Sequence, residues 1–381
     1  GLYWWFRAGA DAALMNGLAV LVIACPCALG FATPLALWAA MSRFALRGAY
    51  LRNGEAVERM ADCDVALFDK TGTLTGVEPR LAAFLAAPES GFAREELLEA
   101  AAAVERLSGH PVAQAFRGCG GGGEPRFDVL GVRLLPGQGV SAEVRSRRGG
   151  AMHELRLGLA EKMVAEQDAD AWERLRRQSG AAPGARLLAV IVDGRLAGLA
   201  ALEETPAPGL AKLWRELREA GIESLLVSGD EAARVEALGH GQTRASMQPL
   251  EKLELVRSLQ EQGRKVLFIG DGINDAAAMA ASHASLAVES GAALARDAAN
   301  GVLRGDAVAR VAELIGIARA ARRLGRSNLA YAAAYNLTGI PVAAAGLLHP
   351  VFAALVMTCS SLMVVWRAAA FLSADLEAQQ R

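Results

Sequence analysis

The chain has 381 residues, a net charge of −1 and a mean hydropathy of +0.24, which is high for a water-soluble protein. Its length allows two or three domains. The near-zero net charge gives no indication of a nucleic-acid partner. The five cysteines show no pairing pattern, so they are expected to be thiols in a reducing cytosol rather than disulfides.

The first segment without a charged residue runs from residue 12 to residue 42. A helix that crosses a bilayer needs about 20 apolar residues, so this segment predicts a transmembrane helix over 12–42. Residues 1–11 are expected to be the extracytoplasmic end of a preceding span. No cleavable signal peptide is predicted, because the apolar run is too long and lacks a small-residue cleavage pattern.

A Cys-Pro-Cys sequence, Cys25 to Cys27, lies within this predicted helix. Proline has no backbone N–H, so the carbonyl of Val22 loses its helical partner and the helix opens. Such an opening would turn both sulfurs toward one ion, and thiolates prefer Cu(I), Ag(I) or Zn²⁺. Two buried cysteines in a kinked helix are the alternative.

The heptapeptide Asp69-Lys-Thr-Gly-Thr-Leu-Thr75 follows an apolar run that predicts a buried strand over 64–68. A carboxylate at the end of such a strand can attack a phosphoryl group and form an acyl phosphate. Lys70 is a candidate counter-charge, and Gly72 permits a tight turn. The alternative is an ordinary polar turn.

Residues 79–199 predict an inserted α+β domain, with a helix over 93–107. Asp193-Gly194 is typical of a hairpin turn that leads into a strand over 196–201. Further strands are expected over 81–87, 140–145, 155–158 and 187–192.

Two more acidic loops follow predicted strands: Ser228-Gly-Asp230 after 224–227, and Gly270-Asp-Gly-Ile-Asn-Asp275 after 266–269. Alternating strands and helices predict a parallel sheet. The helices are expected over 208–220, 231–238 and 249–262.

Ligands bind at the carboxyl ends of parallel strands, so Asp69, Asp230, Asp271 and Asp275 are expected to converge there. Grouped carboxylates repel one another unless a cation neutralises them, and oxygen ligands beside phosphate suit Mg²⁺. Lys252 is a candidate for meeting the remaining phosphate charge.

A second segment without charge, 327–366, predicts transmembrane helices over 327–346 and 351–368. Arginines flank all three predicted spans on the side of the acidic loops, so the positive-inside rule places those loops in the cytosol. Met357 and Ser361 lie one helical turn apart, and a thioether beside thiolates favours Cu(I).

In this order, the three acidic loops resemble the phosphorylation domain of a P-type ATPase, a haloacid dehalogenase-like fold. The resemblance implies a phosphorylation domain over 57–78 and 200–318, with a nucleotide-binding domain inserted over 79–199. It implies that Asp69 is the phosphorylated nucleophile and that Asp69, Asp271 and the carbonyl of Thr71 bind Mg²⁺. The supporting catalytic residues that it implies are Asp230, Lys252, Asn274 and Asp275.

The insert resembles the nucleotide-binding domain of heavy-metal P-type ATPases, through Ser108-Gly-His-Pro111 and Gly137-Gln-Gly139. ATP is the implied ligand, and glycine lets the backbone approach it closely. Gly109 stands where the family usually has glutamate, which suggests weak affinity. The implied nucleotide-binding residues are His110, Gly137, Gly139 and Gly158.

The membrane segments resemble the copper(I)-transporting class, whose marks are C-P-C, Y-N and M-x-x-S-S. The zinc class would show an intramembrane lysine and aspartate, which the last two predicted spans lack. The resemblance implies an integral protein of the bacterial cytoplasmic membrane, in contact with lipid, with a copper chaperone as a candidate ion donor. The implied Cu(I) ligands are Cys25, Cys27, Tyr335, Asn336, Met357 and Ser361.

The resemblance covers nearly the whole chain but only the second half of such a pump, since no T-G-E of an actuator domain is present. A fragment or truncated product is expected, which can be phosphorylated but cannot complete a transport cycle. Three alternatives remain: a zinc-class pump fragment, a membrane-tethered haloacid dehalogenase-like phosphatase, and a non-catalytic membrane metal-binding protein.

Overall fold

A computed structural model describes residues 2–25, 27–76, 79–108, 111–119, 126–147, 149–182, 184–230, 238, 242–271, 273–291 and 293–379. The helices are α1 Leu2–Ile23, α2 Cys27–Ala45, α3 Gly54–Asp62, α4 Arg94–Ser108, α5 Ala160–Met163, α6 Ala169–Gln178, α7 Leu210–Glu219, α8 Pro249–Glu261, α9 Ala276–Ala281, α10 Ala293–Ala298, α11 Val311–Ala344 and α12 Pro350–Gln379. The strands are β1 Ala49–Leu51, β2 Val65–Asp69, β3 Arg80–Ala86, β4 Phe127–Leu135, β5 Gly139–Ser146, β6 Met152–Leu159, β7 Arg186–Val192, β8 Arg195–Glu203, β9 Glu223–Val227, β10 Thr243–Arg244, β11 Val266–Gly270, β12 Ala284–Val288 and β13 Gly301–Leu303.

The chain divides into two compact units, and some of the divisions fall within single strands. One unit holds residues 1–68, 208–225 and 248–381, and the other holds 69–207 and 226–247. The cuts after residues 68 and 225 lie inside β2 and β9. Asp69, in particular, is the last residue of a strand whose other residues belong to the first unit.

That larger sheet has seven strands within the described residues, in the order β1-β13-β12-β11-β2-β9-β10. Its central pairs, β11 with β2 and β11 with β12, are parallel. Every residue of these three strands is buried, as expected for a parallel sheet covered on both faces. The predicted parallel α/β sheet is therefore confirmed, together with its strands at 64–68, 224–227 and 266–269.

The insert contains an antiparallel sheet in the order β3-β8-β7-β6-β5-β4. Successive residues of β7 face opposite sides: Val190 joins the core beneath α4, and Ile191 joins the core beneath α6. The predicted hairpin is confirmed, because Asp193 and Gly194 both have positive φ, 50° and 79°, as a two-residue primed turn requires.

The Cys-Pro-Cys segment lies between two helices, so the expectation of one continuous helix over 12–42 is wrong. α1 begins at Leu2, is interrupted at Gly9 (φ 89°, ψ −179°) and ends at Ile23, and α2 begins at Cys27. The N–H of Cys25 donates to the carbonyl of Val22 at 3.3 Å. The carbonyl of Val22, which a proline four residues later cannot bond, thus accepts a hydrogen bond from Cys25 in a tighter turn.

Within the described residues, two helices are long and apolar enough to cross a membrane: Leu2–Ile23 and Pro350–Ser373. The prediction of three transmembrane helices is therefore not confirmed, since the predicted span 327–346 overlaps the C-terminal part of the 34-residue helix α11, which does not qualify. Its asparagines and tyrosines make it more polar than the other two helices. Near the ends of these helices, small side chains pack closely, with Ala19, Ala343 and Ala353 buried in one cluster.

Candidate active site

Three carboxylates meet at the carboxyl-terminal edge of the larger sheet. Asp69 ends β2, and Asp271 follows the last residue of β11. The parallel register pairs Phe68 with Ile269, so the two aspartates leave adjacent strands side by side. One oxygen from each of Asp69, Asp271 and Asp275 lies within 4.8 Å of the others.

This carboxylate cluster has the donor chemistry of a divalent-cation site. The pKa of Asp271 is raised to about 6, chiefly by burial and in smaller part by the neighbouring Asp275 carboxylate. Asp69 and Asp275 are themselves buried, so the cluster concentrates negative charge where water screens it little. Mg²⁺ favours such oxygen ligands, and the residues fit it: Asp69 and Asp271 would hold the ion.

Lys252 supplies positive charge at this edge. Its Nζ lies 2.7 Å from Oδ1 of Asp275, and both side chains are buried. Lys252 sits in the first turn of α8, where Glu251 accepts a hydrogen bond from the N–H of Gln248 at 2.6 Å. This capping arrangement fixes the start of the helix and therefore the position of the lysine.

Asp230 is not among the three clustered carboxylates and pairs with the lysine of the heptapeptide. Its Oδ2 lies 2.7 Å from Nζ of Lys70, which is 3% exposed. Glu204 also forms an ion pair with Lys70 and accepts a hydrogen bond from Thr75 Oγ1 at 3.1 Å. Glu204 was missed from sequence, since Glu203-Glu-Thr-Pro206 has the composition of an ordinary polar connection.

The remaining predicted catalytic residues lie in the loops that follow these strands. Thr71 is exposed in the turn after Lys70, where Gly72 has φ 73°, and Asn274 is exposed in the short 3₁₀ turn Ile273–Asp275. A left-handed glycine is what a tight turn requires. The expected roles of Thr71 in Mg²⁺ binding and of Asn274 in supporting the site remain predictions.

The insert contains a cavity of about 480 Å³ beside the predicted nucleotide-binding glycines. Gly137, Gly139 and Gly158 line it, and so does Glu105, which sequence reasoning missed. Burial raises the pKa of the Glu105 carboxyl. Its only sequence signal is an acidic residue on the apolar face of α4. His110 lies outside the described residues.

Two of the glycines also meet a steric constraint within the sheet, and their predicted role in nucleotide binding remains a prediction. A Cβ on Gly139 would lie 2.1 Å from the carbonyl oxygen of Leu157, and one on Gly158 would lie 2.0 Å from that of Gln138. These glycines face each other across β5 and β6. The close approach that they permit is therefore between two strands at the cavity wall.

The predicted ion ligands lie in the break after α1 and on the helices α2, α11 and α12. Within the described residues, Tyr335 Oη and Asn336 Oδ1 are buried without a hydrogen-bond partner, and so is Oγ of Ser360. Met357 and Ser361 are half-buried on α12. Cys25 lies in the break after α1, and the side chain of Cys27 is outside the described part of the chain.

The fold and the acidic edge identify a family. A model of haloacid dehalogenase-like hydrolases matches residues 63–283, and the chain belongs to this family.

Within that family, the relatives of the chain are P-type ATPases. It is 37% identical over 368 residues to "Copper-transporting ATPase 2" of Rhizobium meliloti (strain 1021), covering 93% of this chain and 44% of that protein. It is 36% identical to "Cation-transporting P-type ATPase B" of Mycobacterium tuberculosis (strain ATCC 25618 / H37Rv), covering 94% and 47%. A crystal structure of a zinc-transporting PIB-type ATPase in the E2.Pi state matches with a TM-score of 0.73 at 29% identity, covering 94% and 57%. The chain spans about half the length of the curated relatives it matches.

Proposed function

We propose that the chain is the catalytic half of an ATP-driven heavy-metal pump that works through an aspartyl phosphate, with Cu(I) as the transported ion. The observation that carries this proposal is the cluster of Asp69, Asp271 and Asp275 at adjacent strand ends, with Lys252 paired to Asp275. Membership of the haloacid dehalogenase-like family supports the same chemistry.

In the proposed reaction, a carboxylate oxygen of Asp69 attacks the γ-phosphorus of ATP. The bond from that phosphorus to the bridging oxygen breaks, ADP leaves, and an acyl phosphate remains on Asp69. Asp271 and Lys252 have opposite charges, and they would respectively hold Mg²⁺ and attract phosphate oxygens. When bound, Mg²⁺ offsets the charge on the phosphate oxygens. Attack by water then releases phosphate and restores Asp69.

The insert is the proposed ATP-binding part. Its cavity of about 480 Å³ is of a size typical of small-molecule sites. Leu134, Val140 and Leu188 provide apolar walls, and Glu105 provides one buried acceptor. This cavity favours an ATP-dependent enzyme over a membrane-tethered phosphatase, because a phosphatase needs no nucleotide site.

Cu(I) is proposed from the chemistry of the membrane residues and from the similarity to the copper-transporting ATPase of Rhizobium meliloti. Cys25 and Cys27 in their reduced form, together with Met357, would offer sulfur ligands, which Cu(I) prefers. Zn²⁺ is the second candidate, since one similar solved structure is described as zinc-transporting. A bacterial cytoplasmic membrane and delivery by a copper chaperone belong to the same proposal.

Phosphorylation is tested by incubating the detergent-solubilised chain with Mg²⁺ and ATP labelled at the γ-phosphate. We expect an acid-stable, hydroxylamine-sensitive label that is lost in Asp69→Asn. Asp297→Asn is the matched control, because Asp297 is exposed, and it should label like the parent. Labelling of Asp69→Asn at the parental level would overturn the assignment.

The ion is tested by competition between the chain and a chromogenic Cu(I) chelator. The double variant Cys25→Ser, Cys27→Ser should lose high-affinity Cu(I) binding but still bind ATP. Cys359→Ser is the control, since Cys359 is exposed on α12. Parental affinity in the double variant would place the site elsewhere, and a preference for Zn²⁺ in the parent would favour the zinc class.

A further inference from the structure

Glu204 connects two residues of the heptapeptide that lie five positions apart. Its carboxylate forms an ion pair with Nζ of Lys70, and its Oε2 accepts a hydrogen bond from Thr75 Oγ1 at 3.1 Å. Lys70 and Thr75 are 3% and 5% exposed, whereas Glu204 is partly exposed. One side chain therefore contacts both ends of the loop that begins directly after Asp69.

The backbone closes the same loop. The carbonyl of Lys70 accepts hydrogen bonds from the N–H groups of Leu74 and Thr75, at 3.0 and 3.2 Å. Thr75 Oγ1 also lies 3.3 Å from that carbonyl. Between these ends, the chain turns through Gly72 in the left-handed region. The loop is thus closed at its base by backbone hydrogen bonds and at its side by Glu204.

Charge explains why a carboxylate occupies this position. The ammonium group of Lys70 is almost completely buried, and a buried charge is costly unless it is paired and hydrogen-bonded. Asp230 supplies one carboxylate at 2.7 Å, and Glu204 supplies the second. An amide at residue 204 would keep a hydrogen-bond acceptor but would remove half of this negative charge.

The segment that carries Glu204 is itself fixed to the end of the heptapeptide. The N–H of Gly76 donates to the carbonyl of Thr205 at 2.9 Å, and the N–H of Ala207 donates to the carbonyl of Leu74 at 2.7 Å. Residues on both sides of Glu204 are therefore held by secondary structure, since β8 ends at Glu203. A side chain mounted on a rigid segment can hold a loop in one geometry.

We propose that Glu204 is a positioning residue for phosphoryl transfer: by holding Lys70 and Thr75, it fixes the intervening loop so that the backbone of Thr71 is placed for Mg²⁺. This inference rests on the proposed function. In this role, Glu204 acts through its contacts with Lys70 and Thr75.

The test measures the rate of phosphoenzyme formation in the intact chain as a function of Mg²⁺ and, separately, of ATP. In Glu204→Gln, we expect the Mg²⁺ concentration for half-maximal rate to rise about tenfold, while ATP half-saturation stays at the parental value. Glu203→Gln is the matched control. Glu203 is adjacent, similarly half-buried, and contacts the N–H of Ala182 at 3.4 Å.

A second pair of variants tests the connection to Thr75. Thr75→Ser keeps the hydroxyl and should retain parental Mg²⁺ dependence, whereas Thr75→Val should resemble Glu204→Gln. If both act through one contact, the double variant Thr75→Val, Glu204→Gln should be no worse than the poorer single variant. Fully additive losses would contradict a shared role.

Two outcomes would overturn the inference. One is the same Mg²⁺ dependence in Glu204→Gln and Glu203→Gln. The other is a parallel loss of ATP binding, unfolding temperature and phosphorylation in Glu204→Gln, which would make Glu204 merely structural. If the parent forms no phosphoenzyme, the proposed function fails. The positioning role of Glu204 is then tested independently by hydrogen exchange at the amides of Leu74 and Thr75. Faster exchange in Glu204→Gln than in Glu203→Gln supports this role, and equal exchange refutes it.

Discussion

Buried charged side chains at the sheet edge form ion pairs, whereas several buried polar atoms of the helices α11 and α12 have no hydrogen-bond partner within the described residues. At the edge, Lys252 pairs with Asp275, and Lys70 pairs with Asp230 and Glu204. In the helices, buried polar atoms of four side chains have no hydrogen-bond partner within the described residues: Asn328, Tyr335, Asn336 and Ser360.

The energetic consequences of the two arrangements are opposite. A buried polar group without a partner costs roughly 1–3 kcal/mol, whereas a hydrogen-bonded ion pair compensates much of its own desolvation. Lys70 and Lys252 at the sheet edge are thus paired with carboxylates before a ligand binds, although the buried Oγ1 of Thr73 has no hydrogen-bond partner within the described residues. Polar groups in the helices gain their stabilisation from a ligand or from other contacts. The difference between the sheet edge and the helices can be tested by removing one polar atom at a time.

The largest expected effect comes from breaking the Lys252–Asp275 pair. Lys252→Met keeps most of the side-chain volume but leaves Asp275, which is 1% exposed, without this partner. We expect the free energy of unfolding to fall by about 3–5 kcal/mol, measured by denaturant titration in detergent. Adding Asp275→Asn to that variant should restore part of the loss, because the unpaired charge is then gone.

Lys212→Met is the matched control for this prediction. Lys212 lies on α7 and pairs with Glu216 at 3.5 Å, but its side chain is 67% exposed. An exposed pair of this kind contributes about 0–1 kcal/mol. Equal losses for Lys252→Met and Lys212→Met would show that the sheet edge is not held by its internal ion pair.

A smaller, pH-dependent effect is expected at Asp271. Its pKa is raised from 3.8 to about 6, so between these values the folded chain retains a proton that the unfolded chain releases. The resulting stabilisation is present below pH 4 and is lost as the pH rises through about 6. In EDTA, the parent should therefore become less stable across this interval.

Asp271→Asn removes the titration while keeping the shape of the side chain. At pH 7 in EDTA, it should raise the free energy of unfolding by about 1–2 kcal/mol, a value discounted for partial solvent screening. At pH 4, it should have little effect. The variant should also lose any stabilisation by added Mg²⁺. Asp306→Asn is the control, since Asp306 is exposed, and a similar pH response there would refute the assignment.

The strand ends were predictable from sequence because they depend on local pattern. The runs 64–68 and 266–269 are apolar and short, and each is followed by an acidic loop, so their adjacency in a parallel sheet places Asp69 beside Asp271. The hairpin at Asp193-Gly194 was equally predictable, since its two positive φ values suit that dipeptide.

Pairings between distant side chains were not predictable in the same way. Asp230 was expected with the other aspartates, but it pairs with Lys70, and Glu204 joins them from a segment 134 positions away. The glycines at 139 and 158 were predicted to let the backbone approach a ligand, and the steric constraint that a Cβ there would meet the opposite strand was not foreseen. Both outcomes depend on which backbone segments the fold brings together, and sequence spacing does not contain that information.

The smallest expected effect on stability comes from Tyr335, and it tests the membrane half of the comparison. Tyr335→Phe removes only a hydroxyl that has no partner within the described residues. Since no hydrogen bond is lost, the ion-free chain should change in stability by less than about 1 kcal/mol and should even gain slightly.

Tyr331→Phe, one turn earlier on α11 and exposed, is the matched control. Cu(I) affinity should fall in Tyr335→Phe and not in Tyr331→Phe, because only the first hydroxyl faces the interior. A loss of about 2 kcal/mol or more in the ion-free Tyr335→Phe chain would mean that the hydroxyl is already satisfied, and the contrast between the two regions would then disappear.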